Sequence, residues 1–123
     1  MKVELEDELS KLIDEVVCHI NQCVKKHWED HKLSIESLPQ CYAEITSKKW
    51  CRIVQKFGED DSINKAYAFI CLQDGETAAL GKLRKGDLHK AAKWNSPAKK
   101  AYGNIYMPEF GNCITANGLV YMR

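Results

Sequence analysis

The stretch ELEDELSKLIDEVVCHINQCVKKHW, residues 4–28, decides the fold. Leu5, Leu9, Leu12, Val16, Ile20, Cys23 and His27 recur at spacings of three and four, and Ile13, Val17, Val24 and Trp28 widen the stripe. That period is the signature of an amphipathic helix. Glu4, Asp7, Glu8, Lys11, Glu15, Gln22 and Lys26 fall on the opposite side. The acids gather in the first turns, where the positive end of the helix dipole favours them. The helix is predicted to run to about Lys32, or to be re-nucleated near Ser34 with Glu36 in its first turn, and to stop before Leu38-Pro39. At 1.5 Å per residue its length is on the order of 40 Å. A domain of this size does not need so long a helix, so half of the stripe is expected to pack on a second copy.

Downstream of the helix the pattern changes to strands. Tyr42–Thr46 alternates weakly and Trp50–Phe57 is rich in aromatic and β-branched residues. Gly58-Glu59-Asp60-Asp61-Ser62 reads as a turn or loop. Ala66-Tyr67-Ala68-Phe69-Ile70-Cys71-Leu72 is almost continuously apolar, as a central strand would be. Asp74-Gly75 and Lys85-Gly86-Asp87 are turn signals, Thr77–Gly86 between them is ambiguous, and a short strand follows at Leu88–Ala91. The tail from Met107-Pro108 onward is loop-rich, with a last short strand over 118–123. The expected fold is α+β, a single domain over residues 1–123, with the long N-terminal amphipathic helix packed on a small, mainly antiparallel sheet.

Composition narrows the function. Eighteen Lys and Arg face seventeen Asp and Glu, a formal net charge of +1 over 123 residues. Proteins that coat duplex nucleic acid are usually strongly basic, so that class is disfavoured while a local cationic pocket is not. There is no apolar run of membrane-spanning length and the chain opens without a signal-peptide pattern, so a cytosolic location is expected. In that compartment the six cysteines are expected as free thiols.

Chemistry-bearing patterns are few. His19, Cys23, His27 and His31 stand four apart on one helix face, but a straight ladder does not close a tetrahedron, and core or interface histidines are the simpler reading. No metal site, cofactor or catalytic motif is expected, because the chain has no nucleophile elbow, H-E-x-x-H, phosphate-binding glycine loop or C-x-x-C. The segment from Lys82 to Asn104 stands out. Lys82, Arg84, Lys85, His89, Lys90, Lys93, Lys99 and Lys100 are opposed only by Asp87, with Trp94 and Tyr102 interleaved. Cations alternating with aromatics suit a ligand that carries phosphates and bases, with stacking worth about 1–3 kcal/mol per base. The plainer alternative is that Trp94 fills the core and the lysines keep a loop in solution.

Within that segment Gly86-Asp87, Lys90-Ala91-Ala92, Trp94, Pro97-Ala98-Lys99 and Gly103-Asn104-Ile105, with Gly118 and a closing Tyr121-x-Arg123, carry a resemblance. Over the last third to half of the chain the layout is similar to the phage anti-Thoeris sponge family, Thoeris anti-defence protein 1. In such proteins the block is a strand, a W-x-x-P-A-K loop, an R-G-N-I turn and a final Y-x-R. The resemblance implies a non-enzymatic protein of the host bacterial cytoplasm that binds glyco-cyclic ADP-ribose without cleaving it. Some members also hold cyclic oligonucleotides between subunits. It implies Trp94 as a ring that stacks on adenine, Asn104 as an amide for base or ribose, and Arg123 at base or pyrophosphate. His27 and Trp28 would line the pocket from the helix, in a homodimer or hexamer. Lys99 and Tyr102 complete the candidate ligand set. Tyr102 replaces the family's arginine, and the α-carboxylate of Arg123 offsets its own guanidinium. The alternatives are a phage single-stranded nucleic-acid-binding module on the same segment, a signal-degrading enzyme with His89 as base, and a virion structural protein.

Overall fold

The structure, a computed structural model, describes residues 7–34, 38–57, 64–107, 109–115 and 118–119. Among these residues one α-helix, nine strands and a short 3-10 helix follow in order: α1 (Asp7–Asp30), β1 (Gln40–Ile45), β2 (Trp50–Lys56), β3 (Lys65–Cys71), β4 (Gly75–Thr77), β5 (Gly81–Leu83), β6 (Asp87–Lys93), β7 (Ser96–Asn104), the 3-10 helix (Phe110–Cys113), β8 (Ile114–Thr115) and β9 (Gly118–Leu119). Strands β1, β2, β3, β6 and β7 form an antiparallel sheet in that order, with β3 central as its apolar run foretells. The ambiguous Thr77–Gly86 stretch falls in the small β4–β5 hairpin, and β8–β9 is a second two-stranded ribbon. The fold is α+β.

Helix α1 buries Leu9, Ile13, Val16, Ile20 and Val24 in one cluster with Cys41, Cys51, Ile53, Ala68, Ile70 and Leu88 from the sheet. Each such aliphatic side chain contributes about 1.5–3 kcal/mol on leaving water. Leu12, Cys23 and Trp28 flank that stripe partly buried. The expected turns at its start (Glu4, Leu5) and the re-nucleation at Glu36 lie outside the described residues, as do the 58–62 loop, Pro108 and the chain end with Arg123.

The helix stops at Asp30 rather than Lys32. Lys32 takes a left-handed φ of 53°, its N–H bonds to Glu29 O at 3.1 Å, and Leu33 N–H bonds to Trp28 O at 2.9 Å. This pair of reversed bonds satisfies the last carbonyls, in a conformation that normally selects glycine. Trp28 Nε1 donates to Ser34 O at 3.1 Å, so the same turn anchors the indole. At the sheet edge, Asn21 Nδ2 donates to Cys41 O at 3.1 Å while Cys41 N–H donates to Asn21 Oδ1 at 2.8 Å. The helix thereby makes on β1 the two bonds that a neighbouring strand would make.

One expectation is corrected. Pro97-Ala98-Lys99 lies in strand β7, where the resemblance implies a loop, and Lys93 and Ser96 pair across a two-residue turn of Trp94 and Asn95. Strand β7 is a sheet edge, where proline's missing N–H costs no ladder bond.

The six cysteines are free, and Cys41, Cys51, Cys71 and Cys113 are buried. Burial pushes the Cys41 and Cys51 thiols up to about 12. In the unfolded chain a thiol titrates near about 8.5, so on raising the pH the unfolded state loses its protons first. The stabilisation is whole below about pH 8.5 and fades toward pH 12. Thermal melts are expected to show a constant Tm up to that point and a steady fall above it, with Cys51→Ala reducing the slope. Lys32→Gly is expected to stabilise by about 0.5–1 kcal/mol by removing the left-handed penalty, read as a higher urea midpoint.

Candidate ligand-binding cleft

A cleft of about 250 Å3 opens where the end of α1 meets the sheet, lined by Trp28, Pro39, Gln55, Phe57, Lys65, Ala66, Tyr67, Lys90, Ala91 and Gly118. Strand register explains the convergence. Gln55 lies opposite Cys41 on one side and Lys65 on the other, and Lys90 lies opposite Ala68. Directly opposed residues share a face, and Cys41 and Ala68 belong to the core beneath the helix. Gln55, Lys65 and Lys90 are therefore on the helix side of the sheet, beyond the last buried turn of α1.

A bulge puts Lys65 there. Ile53 pairs with Ala68 but Val54 pairs with Ala66, so Tyr67 is an extra residue in β3. Simple alternation from Ile70 and Ala68 would send Tyr67 and Lys65 to the far face; the inserted residue reverses the phase. Tyr67 joins the core and its hydroxyl donates to Thr115 O, holding the 109–115 segment against β3. Burial raises its phenol pKa. Lys65 Nζ stands 5.3 Å from the centre of the Phe57 ring, a cation–π distance. The arrangement offers two ammonium groups, an amide and aromatic surface to one small ligand. None of the described residues forms a group of three or more His, Cys, Asp or Glu that could hold a metal.

The candidates read from sequence are dispersed. Trp28 is in the cleft. His27 packs beside it, rings 6.0 Å apart, and stacks at 4.1 Å on His31, whose Nδ1 donates to His27 O. Trp94 lies on the other side of the sheet. There the Arg52 guanidinium sits 4.1 Å over its ring and donates to Trp94 O at 3.1 Å, Asn95 Oδ1 at 2.7 Å and Glu44 Oε2 at 2.9 Å. Arg52 is 7% exposed, so this fork fixes the β6–β7 tip against β2, and three register shifts let the hairpin bend toward it. One face of Trp94 is thus covered by the chain's own cation. Lys99 is exposed on β7.

Tyr102 and Asn104 meet in a second cleft of about 280 Å3 with Arg84, Asp87 and Phe110. The Asn104 amide donates to Lys85 O at 3.0 Å and Asp87 Oδ1 at 2.9 Å, and accepts from Tyr106 N–H at 2.9 Å. It thereby joins the 84–87 turn to the end of β7. Gly86 is required beside it: φ is +90° and a Cβ would come within 2.6 Å of the Tyr106 ring. His89 is 2% exposed, its Nδ1 donates to Ala98 O at 2.8 Å, and Trp50 meets it edge-on at 5.2 Å. A base so enclosed faces protein rather than substrate.

Sequence reasoning missed Gln55, Phe57 and Lys65, and did not single out Lys90 from the other lysines. No local pattern marks them, because they meet only through strand pairing and the bulge. The chain matches no family model, and no curated protein or solved structure is significantly similar to it. No helix among the described residues is long and apolar enough to cross a membrane.

Asn104→Ala is expected to destabilise the fold by about 1–3 kcal/mol, since it leaves the buried Asp87 carboxylate short of a donor. Urea titration measures this, and an unchanged midpoint would contradict the anchoring role.

Proposed function

We propose that this chain is a non-enzymatic capture protein for a cyclic nucleotide signal of the glyco-cyclic ADP-ribose type, acting in a bacterial host cytoplasm on behalf of a phage. The observation that carries the reading is the convergence of Lys65 and Lys90 with Trp28 and Phe57 in one cleft. Phosphate needs cations and charge-assisted bonds, and a base needs flat apolar surface. Both are supplied within one site, and the resemblance of the Gly86–Ile105 block points to the same ligand class. The 41%-exposed Trp94 ring stays available as a lesser surface on the far face.

Such a protein acts by mass action. To keep a signal below the threshold of its effector it needs a dissociation constant near nanomolar, about −12 kcal/mol. Affinity of that order calls for preorganised contacts, and strands β2, β3 and β6 give Gln55, Lys65 and Lys90 a rigid base. A homodimer or hexamer would enclose a ligand larger than the cleft of one chain.

Capture and release tests the proposal. The protein is mixed with glyco-cyclic ADP-ribose and filtered; the filtrate and the heat-denatured protein fraction are then chromatographed. Depletion followed by recovery of intact ligand is expected. Lys65→Ala and Lys90→Ala should each weaken capture about tenfold or more, as loss of a charge-assisted bond does. A degraded ligand would mean an enzyme. No depletion would overturn the reading and leave salt-dependent single-strand binding as its successor.

A further inference from the structure

Gln55 is the unusual group in the cleft. It is 8% exposed, it lines the cavity, and its side-chain amide makes no hydrogen bond among the described residues. A glutamine amide carries two donors and a carbonyl with two lone pairs. Among the described residues the side-chain atoms sealed from solvent without a partner are Arg52 Nε, Asn64 Oδ1 and His89 Nε2, and the Gln55 amide is not one of them: it opens onto the cleft. The fold thus leaves this amide to pair with water or with a ligand that enters the cleft.

The surroundings define what that is. A primary amide presents N–H and C=O side by side in one plane, the complement of a heteroaromatic edge with a donor next to an acceptor. Glutamine reads adenine in this bidentate way. Trp28 and Phe57 supply flat surface beside the amide, and Lys65, directly opposite Gln55 in the register, supplies positive charge next to it. A cleft of about 250 Å3 is smaller than the ~300–1,000 Å3 of sites for drug-sized ligands. It suits one nucleotide unit and not a whole dinucleotide.

We infer that Gln55 is the specificity-determining residue of the cleft, reading the hydrogen-bonding edge of a single adenine-type base while Lys65 and Lys90 hold its phosphate. This rests on the capture reading of the same site and adds to it which part of the ligand enters and which side chain selects it.

The test is titration calorimetry with adenosine 5′-monophosphate, purine riboside 5′-monophosphate (which lacks the exocyclic amino group) and ribose 5-phosphate. The wild-type chain and Gln55→Leu are compared. The wild type is expected to prefer the adenosine compound by about tenfold or more over both others. Gln55→Leu should lose that preference while keeping its affinity for ribose 5-phosphate. Should the variant fail to fold, the three-ligand comparison on the wild type decides alone. Equal wild-type affinity for all three, or a folded variant that still discriminates, would overturn the inference. If the wild type binds none of the three yet captures glyco-cyclic ADP-ribose, the base-reading role falls and the capture reading stands. If it takes up neither, both fall.

Discussion

Burial of the Leu9, Ile13, Val16, Ile20 and Val24 stripe against one face of the sheet is the constraint on which the rest depends. It determines which side of every strand is interior and where the helix must end. Both decide the site, because the cleft is the part of that face that α1 does not reach. The left-handed Lys32 cap and the Trp28–Ser34 bond turn the end of the helix into a wall. Position along the sheet thus changes what a residue does. Cys41 and Ile53 are covered and serve the core, whereas Lys65 and Lys90, on the same face, border open space.

The two faces of the sheet solve different problems. Under the helix the packing is aliphatic and thiol-rich. On the other side Trp50, Phe69 and His89 pack edge to face, and the buried Arg52 fork ties β1, β2 and the β6–β7 turn together. A planar guanidinium can lie over an indole while donating to three acceptors, a combination of stacking and forked donation that an ammonium does not offer. The aromatic-basic segment therefore contributes to both faces: Lys90 to the cleft, Trp94 to the fork.

The helix was legible in the sequence because a single buried face imposes a period of 3.6 that few other structures share. The central strand was legible because β3 is covered on both sides and so is apolar throughout. The β4–β5 hairpin was not, since three-residue strands have no room for a pattern. The candidate site was legible only in part. Trp28, expected at a pocket, lines the cleft, but for Trp94, expected to stack on a base, composition could not say that Arg52 of the same chain would cover one face of its ring. Lys65 and Gln55 were out of reach for a sharper reason. A one-residue bulge reverses the inside and outside of half a strand, and nothing in Lys65-Ala66-Tyr67-Ala68 announces it.

The Asn21 clamp has a consequence for how molecules of this chain meet. Thr46 N–H bonds inward to Trp50 O, so in β1 the even-numbered residues pair with β2 and the odd-numbered ones turn their backbone outward. Open backbone of this kind is where sheets of separate molecules fuse into fibres. Asn21 occupies the outward N–H and C=O of Cys41, leaving Ala43 and Ile45 as the run a foreign strand could join. Glu44, between them, adds a carboxylate that a second copy aligned about it would oppose with its own. A single helix side chain thus shortens the stretch of edge backbone on which a second sheet could grow.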